Sequence, residues 1–423
     1  MYQKSTLDNG LRIITIPMPR IHSVSICMFV GIGSRYELEA EAGISHFIEH
    51  MLFKGTSKRK TAREISETIE RVGGILNGGT NKEITLYWCK VTQPHFKLAV
   101  DLLADILLNS RFDQQDIEKE RQVIIEEINM SKDSPPQRVD MLIDELLWPN
   151  HPLGQDIAGN KESISTISKE MMLSYHSGKY LPSNTVITIA GNIQHEQATN
   201  TVSQVLGNWS NRRELPEYLS YPAHKEPAVQ RLNIETKETE QAHLCLGLPG
   251  LSIFHPKRFT LNLLNVILSG GMGSRLFSEI RDKLGLVYNI HSYVDEYLDT
   301  GSIIISAGVD PKNLLAVIKA TLEQLSLCKE TIPESELSKA KELSKGRLLL
   351  RMEDSRNVAS WIGGQEILTN NILSIDQVVS IIDAISVNEI KELAEELLIE
   401  EKLHLAVVGR INKNETLENL LKL

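Results

Sequence analysis

Hydrophobic and polar positions change their period several times along this chain, and each change marks an element. Apolar runs of strand length, rich in β-branched residues, occupy 7–16 and 23–30. From Ile44 the period lengthens to three and four, which predicts amphipathic helices over 44–53 and 61–72. The stretch 73–91 returns to strand-like alternation on either side of Gly78-Gly79-Thr80-Asn81, a hairpin turn signal. Helical periods follow over 95–108, 113–130, 137–147 and 168–180. Long hairpins with grouped helices predict mainly antiparallel sheets, each covered by helices on one face: an α+β protein rather than a doubly wound one.

The pattern comes round twice. Val186-Ile187-Thr188-Ile189-Ala190-Gly191, near the end of the first half, matches Leu405-Ala406-Val407-Val408-Gly409, near the end of the second. Each is an apolar strand closed by glycine. Ser25-Ile26-Cys27-Met28-Phe29-Val30-Gly31 likewise matches His243-Leu244-Cys245-Leu246-Gly247-Leu248. A repeat of about half the chain means a duplicated domain, not a solenoid. Between the halves, Pro216, Pro222 and Pro227 stand among charges without apolar periodicity and read as a linker. The expected organisation is a first domain over 1–210, a linker over 211–230 and a homologous second domain over 231–423.

Composition narrows the function without choosing it. With 423 residues, 41% hydrophobic and 24% charged, the chain has the make-up of an ordinary globular protein of two or three domains. A net charge of −10 argues against nucleic acid, whose phosphates need a basic surface, and leans toward basic partners. The glycines follow no phosphate-loop or dinucleotide pattern. Cys27, Cys89, Cys245 and Cys328 form no CxxC pair; buried free thiols are expected, as in a reducing compartment. No apolar run reaches membrane-span length, and the N-terminus has neither a signal core nor an Arg-rich presequence. A cytoplasmic protein is the expectation, or a mitochondrial matrix protein already trimmed.

Chemistry enters with His46-Phe47-Ile48-Glu49-His50. Histidines four apart on a helix lie one turn from each other, so one metal ion can take both imidazoles. Ile44, Phe47, Ile48, Met51 and Leu52 form an apolar stripe nearly opposite His46, Glu49 and His50. One face packs and the other holds something, which suits a zinc hydrolase with a carboxylate base. The helix over 113–130 offers further acids. Its inward stripe is Ile117, Val123, Ile124 and Ile128; Glu120 and Glu127 fall within it and Glu126 outside. A carboxylate on a buried face is costly unless paired or bound to metal. Glu127 is the candidate third ligand and Glu120 a supporting or substrate-facing acid. The same periods also allow an acidic surface helix with a drifting stripe.

HxxEH followed by a glutamate 77 residues on (127 − 50), with another seven before it, resembles the pitrilysin/insulinase metallopeptidases, the inverzincins. The resemblance covers nearly the whole chain, including Gly31-Ile32-Gly33-Ser34-Arg35-Tyr36-Glu37, the block from Gly43 to Thr56, and His151-Pro152-Leu153-Gly154. It is nearest the bacterial processing-peptidase branch, close to the β subunit of the mitochondrial processing peptidase. It implies one zinc per chain on His46, His50 and Glu127, with water as fourth ligand, and Glu49 as general base. Glu120 would matter for activity without touching metal. The second half lacks HxxEH and shows Ser269-Gly270-Gly271-Met272-Gly273-Ser274-Arg275 instead, so one half is expected to be catalytic and the other supporting. Arg281 and Tyr288 resemble the family's Arg/Tyr pair, which holds the substrate carbonyl and oxyanion. Gly285 is expected to end the helix between them. Asn77, Gly78 and Gly79 resemble the edge that binds an extended peptide as an added strand; the family usually has alanine at Gly78. The implied protein is a zinc endopeptidase whose chain supplies half of a clam-shell chamber and pairs as a homodimer. The rival expectation, a non-catalytic subunit like the core proteins of a respiratory complex, is disfavoured by the four intact motif residues.

Overall fold

Eleven strands among the described residues carry the repeat. The computed structural model describes residues 2–210, 213–221, 230–411 and 417–423; Pro222 and Pro227 of the expected linker lie outside them. Strands β1 (Gln3–Thr6), β2 (Arg12–Pro17), β3 (Ser23–Val30), β4 (Ile75–Thr80), β5 (Thr85–Thr92) and β6 (Thr185–Gly191) form one sheet in the order β1-β2-β6-β3-β5-β4. Strands β7 (Leu232–Thr236), β8 (Ala242–Pro249), β9 (Val287–Glu296), β10 (Gly301–Val309) and β11 (His404–Gly409) form the other, in the order β7-β11-β8-β10-β9. The second order repeats β2-β6-β3-β5-β4 strand for strand. Even the single parallel pair recurs: β2 with β6, and β7 with β11. Both matching strands close on glycines of positive φ, Gly191 at 145° and Gly409 at 151°.

The helices are α1 (Ile44–Leu52), α2 (Ala62–Glu70), α3 (Phe96–Asn109), α4 (Gln114–Asp133), α5 (Pro135–Leu147), α6 (Lys161–Thr166), α7 (Lys169–Lys179) and α8 (His195–Leu206). In the second half follow α9 (Arg258–Ser269), a π-helix (Phe277–Lys283), α10 (Leu314–Glu330), α11 (Glu334–Arg351), α12 (Ser355–Thr369), α13 (Ile375–Ala384) and α14 (Val387–Leu397). The fold is thus mixed α+β, with two homologous sheets.

Helices are exchanged between the halves. One compact unit comprises Met1–Ile128, Asp156–Leu219 and Leu350–Ser374; the other comprises Asn129–Gln155, Ser220–Leu349 and Ile375–Leu423. In the first unit, Ile13, Ile26, Met28 and Ile187 pack under α1, α3, α7 and α8. The alternate residues Ile14, Cys27, Phe29 and Val186 pack under α12. Sheet one is therefore covered on both faces, not on the one face that pattern alone predicted. This explains why β3 is buried from Val24 to Val30 without alternation. In the second unit, Val139 and Ile143 of α5 pack on Cys245, Ile304, Ala406 and Val408. All four cysteines are buried free thiols.

Two local expectations are corrected. The predicted strand over 7–16 is broken by a turn in which the Gly10 N–H donates to Leu7 O at 2.8 Å, with Gly10 at φ 91°. The hairpin turn falls at 81–84 rather than at Gly78-Gly79, which lie inside β4; Asn81 Oδ1 accepts from the N–H groups of Glu83 and Ile84. Gly78 serves a close approach instead: a Cβ there would lie 2.9 Å from the far end of the Phe53 ring.

Candidate metal centre

The site is built on α1, and α1 is seated from its first residue. Gly43 has φ 91°, and a Cβ on it would lie 2.4 Å from Ala158 O, so only glycine fits. The Glu37 carboxylate accepts from the backbone N–H groups of Gly43 (2.7 Å) and Ser45 (2.8 Å), capping the free donors of the helix start. Burial pushes Glu37 up to about 7 despite those bonds. Ile44, Phe47, Ile48, Met51 and Leu52 are buried, leaving His46, Glu49 and His50 on the half-exposed side.

Helix α4 supplies the acids. Glu120 is 7% exposed, Glu127 is half-buried and Glu126 is exposed. Val123, assigned to the inward stripe by periodicity, is 43% exposed; Ile125 and Arg121 take the buried places. Arg121 is tolerated there because its guanidinium donates to the carbonyls of Ile164 and Ile167.

Three donor atoms converge. His46 Nε2 lies 3.1 Å from His50 Nε2. Glu127 Oε2 lies 3.9 Å from the first and 3.7 Å from the second. Ligand atoms at the corners of a tetrahedron around zinc, with bonds of about 2.0–2.1 Å, are separated by about 3.3 Å. The three separations bracket that edge, and no other group of three or more such ligands meets as closely among the described residues. The donor chemistry also fits. His50 Nδ1 faces Glu120 Oε2 at 3.0 Å, so a proton on Nδ1 leaves the Nε2 lone pair toward His46 and Glu127. Two imidazole nitrogens 3.1 Å apart, flanked by carboxylates, favour a cation between them.

The electrostatics agree. Burial opposes charge on His50, but Glu120, Glu127 and Glu49 outweigh it and raise its pKa. Burial and the charge of His50 push His46 down to about 4. Glu49 is raised by burial, against a hydrogen bond of 2.9 Å from Thr80 Oγ1 to its Oε2. Burial would raise Glu120 as well, yet His50 and Lys54 hold it below the ordinary carboxylate value.

Thr80 and Lys54 were missed by sequence reasoning. Thr80 comes from β4, and nothing local to it signals Glu49. Lys54 stands four residues after His50, a helical spacing that carried the signal; its Nζ meets Glu120 Oε1 at 2.6 Å. A cleft of about 480 Å³ opens beside Glu49 and His50, walled by Phe53, Ile69, Leu76 and Asn77. Asn77, Gly78 and Gly79 lie on β4, the edge strand of the sheet, and a Cβ on Gly78 would lie 3.2 Å from Glu49 Oε1.

Arg281 and Tyr288 lie in the second unit. Gly285, at φ 63°, ends the helical segment between them. Their side chains nonetheless meet: the Arg281 guanidinium carbon lies 4.9 Å from the Tyr288 ring centre and 4.5 Å from that of Phe277. Tyr288 is 78% exposed and Arg281 is half-buried. No helix among the described residues is long and apolar enough to cross a membrane.

The sequence profile described as "Insulinase (Peptidase family M16)" matches residues 12–161, and that described as "Peptidase M16 inactive domain" matches 166–344. An uncharacterized zinc protease of Bacillus subtilis (strain 168) is 36% identical over 402 residues, 95% of this chain and 97% of its own. An uncharacterized zinc protease of Mycobacterium leprae (strain TN) is 35% identical over 429 residues, 99% of this chain and 94% of its own. Among solved structures, a protease from Helicobacter pylori superposes with a TM-score of 0.90 at 23% identity, covering 97% of this chain and 99% of that one.

Proposed function

The chain belongs to the insulinase family, peptidase family M16, and from that premise we propose that it is a zinc endopeptidase acting on extended peptides. One observation carries the reading: the Nε2 atoms of His46 and His50 converge with Glu127 Oε2 while Glu49 lies on the same helix side. His46, His50 and Glu127 would hold the metal. Bound there, zinc supplies Lewis acidity, which polarises a carbonyl and makes water acidic near neutral pH.

The protein's own groups do the rest. Glu49 takes the proton of the attacking water and returns it to the leaving amine. Its burial-raised pKa brings it nearer to neutrality, where one carboxyl can both accept and release a proton. The substrate lies along β4 as an added strand, held by backbone hydrogen bonds at Asn77, Gly78 and Gly79. Backbone recognition of this kind admits many sequences, which suits an enzyme of broad specificity. Arg281 and Tyr288 donate to the substrate carbonyl oxygen as charge develops on it. The active form is a homodimer enclosing a chamber, and size-exclusion chromatography with activity read across the peaks tests that.

The central test is Glu49→Gln. The variant should bind about one zinc per chain, as the wild type should, yet cleave a mixed peptide library at least about 100-fold more slowly. Undiminished cleavage by Glu49→Gln, or a wild type that binds no zinc, would overturn the proposal.

A further inference from the structure

The Glu120 carboxylate is a fork with two tines, and each tine is taken. Its Oε2 meets His50 Nδ1 at 3.0 Å and its Oε1 meets Lys54 Nζ at 2.6 Å. The two partners are four residues apart on one side of a helical turn, because the chain keeps winding past the end of α1. Phe53 N donates to His50 O at 3.2 Å, and Lys54 N to Met51 O at 3.1 Å. Along α4, Glu120 and Glu127 are two turns apart and grip the same imidazole from its two nitrogens. Glu120 faces Nδ1 of His50, and Glu127 faces Nε2 at 3.7 Å.

Resting on the zinc reading above, we infer that Lys54 is a positioning residue for the metal: it fixes Glu120 so that His50 keeps its proton on Nδ1 and offers Nε2 to zinc. The requirement is geometric. An imidazole ligand is useful only in one tautomer and one ring orientation, and the hydrogen bond on its other nitrogen sets both. Glu120 can hold that bond only while its own torsions are fixed. Its side chain is 9% exposed, so few waters can steady the second oxygen if Lys54 is lost. An ordinary exposed ion pair carries little weight. This one differs because its acid is buried and its second oxygen already serves a ligand. Lys54 is itself only 30% exposed, its stem forming part of the cleft wall. Lys54→Met keeps that stem and removes the ammonium, whereas Lys54→Arg keeps a cation.

Zinc affinity of the zinc-stripped full-length protein, titrated against a competing chelator, gives the first readout. Lys54→Met should bind about 10- to 100-fold more weakly than wild type, and Lys54→Arg should recover most of the loss. In the double variant with Glu120→Gln, removing Lys54 should cost almost nothing further, because both act through one bond. The second readout is the His50 Nδ1–H resonance of zinc-loaded, histidine-labelled protein: slowly exchanging in wild type and Lys54→Arg, fast in Lys54→Met. Wild-type affinity and a protected Nδ1–H in Lys54→Met overturn the inference while leaving the zinc site standing. A wild type that takes up no zinc removes the metal reading, and this inference with it.

Discussion

Glu49 takes a hydrogen bond from the Thr80 side chain, and that bond has a measurable signature. Thr80 Oγ1 donates to the ionised carboxylate and so lowers its pKa against the dominant effect of burial. In Thr80→Val the side-chain bond is gone while the Thr80 backbone N–H and the charge of His50 still act, and the Glu49 pKa rises further. A general base works only when deprotonated, so the acid limb of the kcat/KM profile should move to higher pH, with the alkaline limb unmoved. An unshifted acid limb would separate Glu49 from the rate. His50 offers a second check. Its pKa is raised in the metal-free protein, so zinc must displace a proton where that imidazole is still charged. Calorimetric zinc titration in buffers of different ionisation enthalpy should show proton release that grows as pH falls. Residues whose placement follows local spacing were legible in the sequence: His46, Glu49 and His50 by a helical turn, Glu127 and Glu120 by a heptad. Thr80 was not, since a strand 31 residues away delivers it. Val123 misled because stripe-counting ignores that Arg121 finds two carbonyls to bind and so can take a buried place.

Elements show the same division between local and distant causes. The period of α1 and the apolar run of β3 predicted both elements almost to the residue. What period could not show is which sheet each helix covers. The exchange of α5 and α12 between the halves is decided by complementary faces 100 or more residues apart, such as Phe29 against a Cβ-free Gly363. The Gly78-Gly79 pair read as a turn because glycine serves both turns and close approaches, and only packing against Phe53 distinguishes them. The seat of α1 can be tested directly. Gly43→Ala forces a left-handed residue and a 2.4 Å contact with Ala158 O, where backbone must move. It should cost about 2–4 kcal/mol, seen as a lower denaturant midpoint. Zinc affinity should fall as well, because His46 and His50 ride on the displaced helix. Full stability in Gly43→Ala would mean that loop 156–160 yields easily.

At the scale of the whole molecule, the duplication was legible because two copies of one strand order keep the same apolar runs, even where the chemistry has diverged to HxxEH in one and a glycine loop in the other. The response to acid was not legible, since it depends on which histidines are sealed in. His176 lies between Phe112 and Tyr180, with ring centres 5.7 and 4.6 Å away, and its Nε2 has no partner. Burial pushes it down to about 4, and His404 in β11 is pushed down in the same way. An unfolded histidine titrates near 6.5. As pH falls from 6.5 toward 4 the unfolded chain therefore binds protons that the fold refuses, and stability falls until the folded group also titrates. For His176 the loss amounts to about 3 kcal/mol. Glu37 works the other way. Its folded value of about 7 lies above an unfolded one near 4.5, so the fold regains stability on acidification through the same window. The two lie in one unit and partly cancel, which hides both in a simple pH–stability curve. His176→Phe separates them. Between pH 7.5 and 4.5 its denaturant midpoint should fall less than that of wild type, because the Glu37 contribution is then opposed by one histidine fewer, with His46, His243 and His404 still against it. Equal shifts in the two proteins would mean that His176 is protonated inside the fold as readily as outside, and the sealed pocket around it would have to be abandoned.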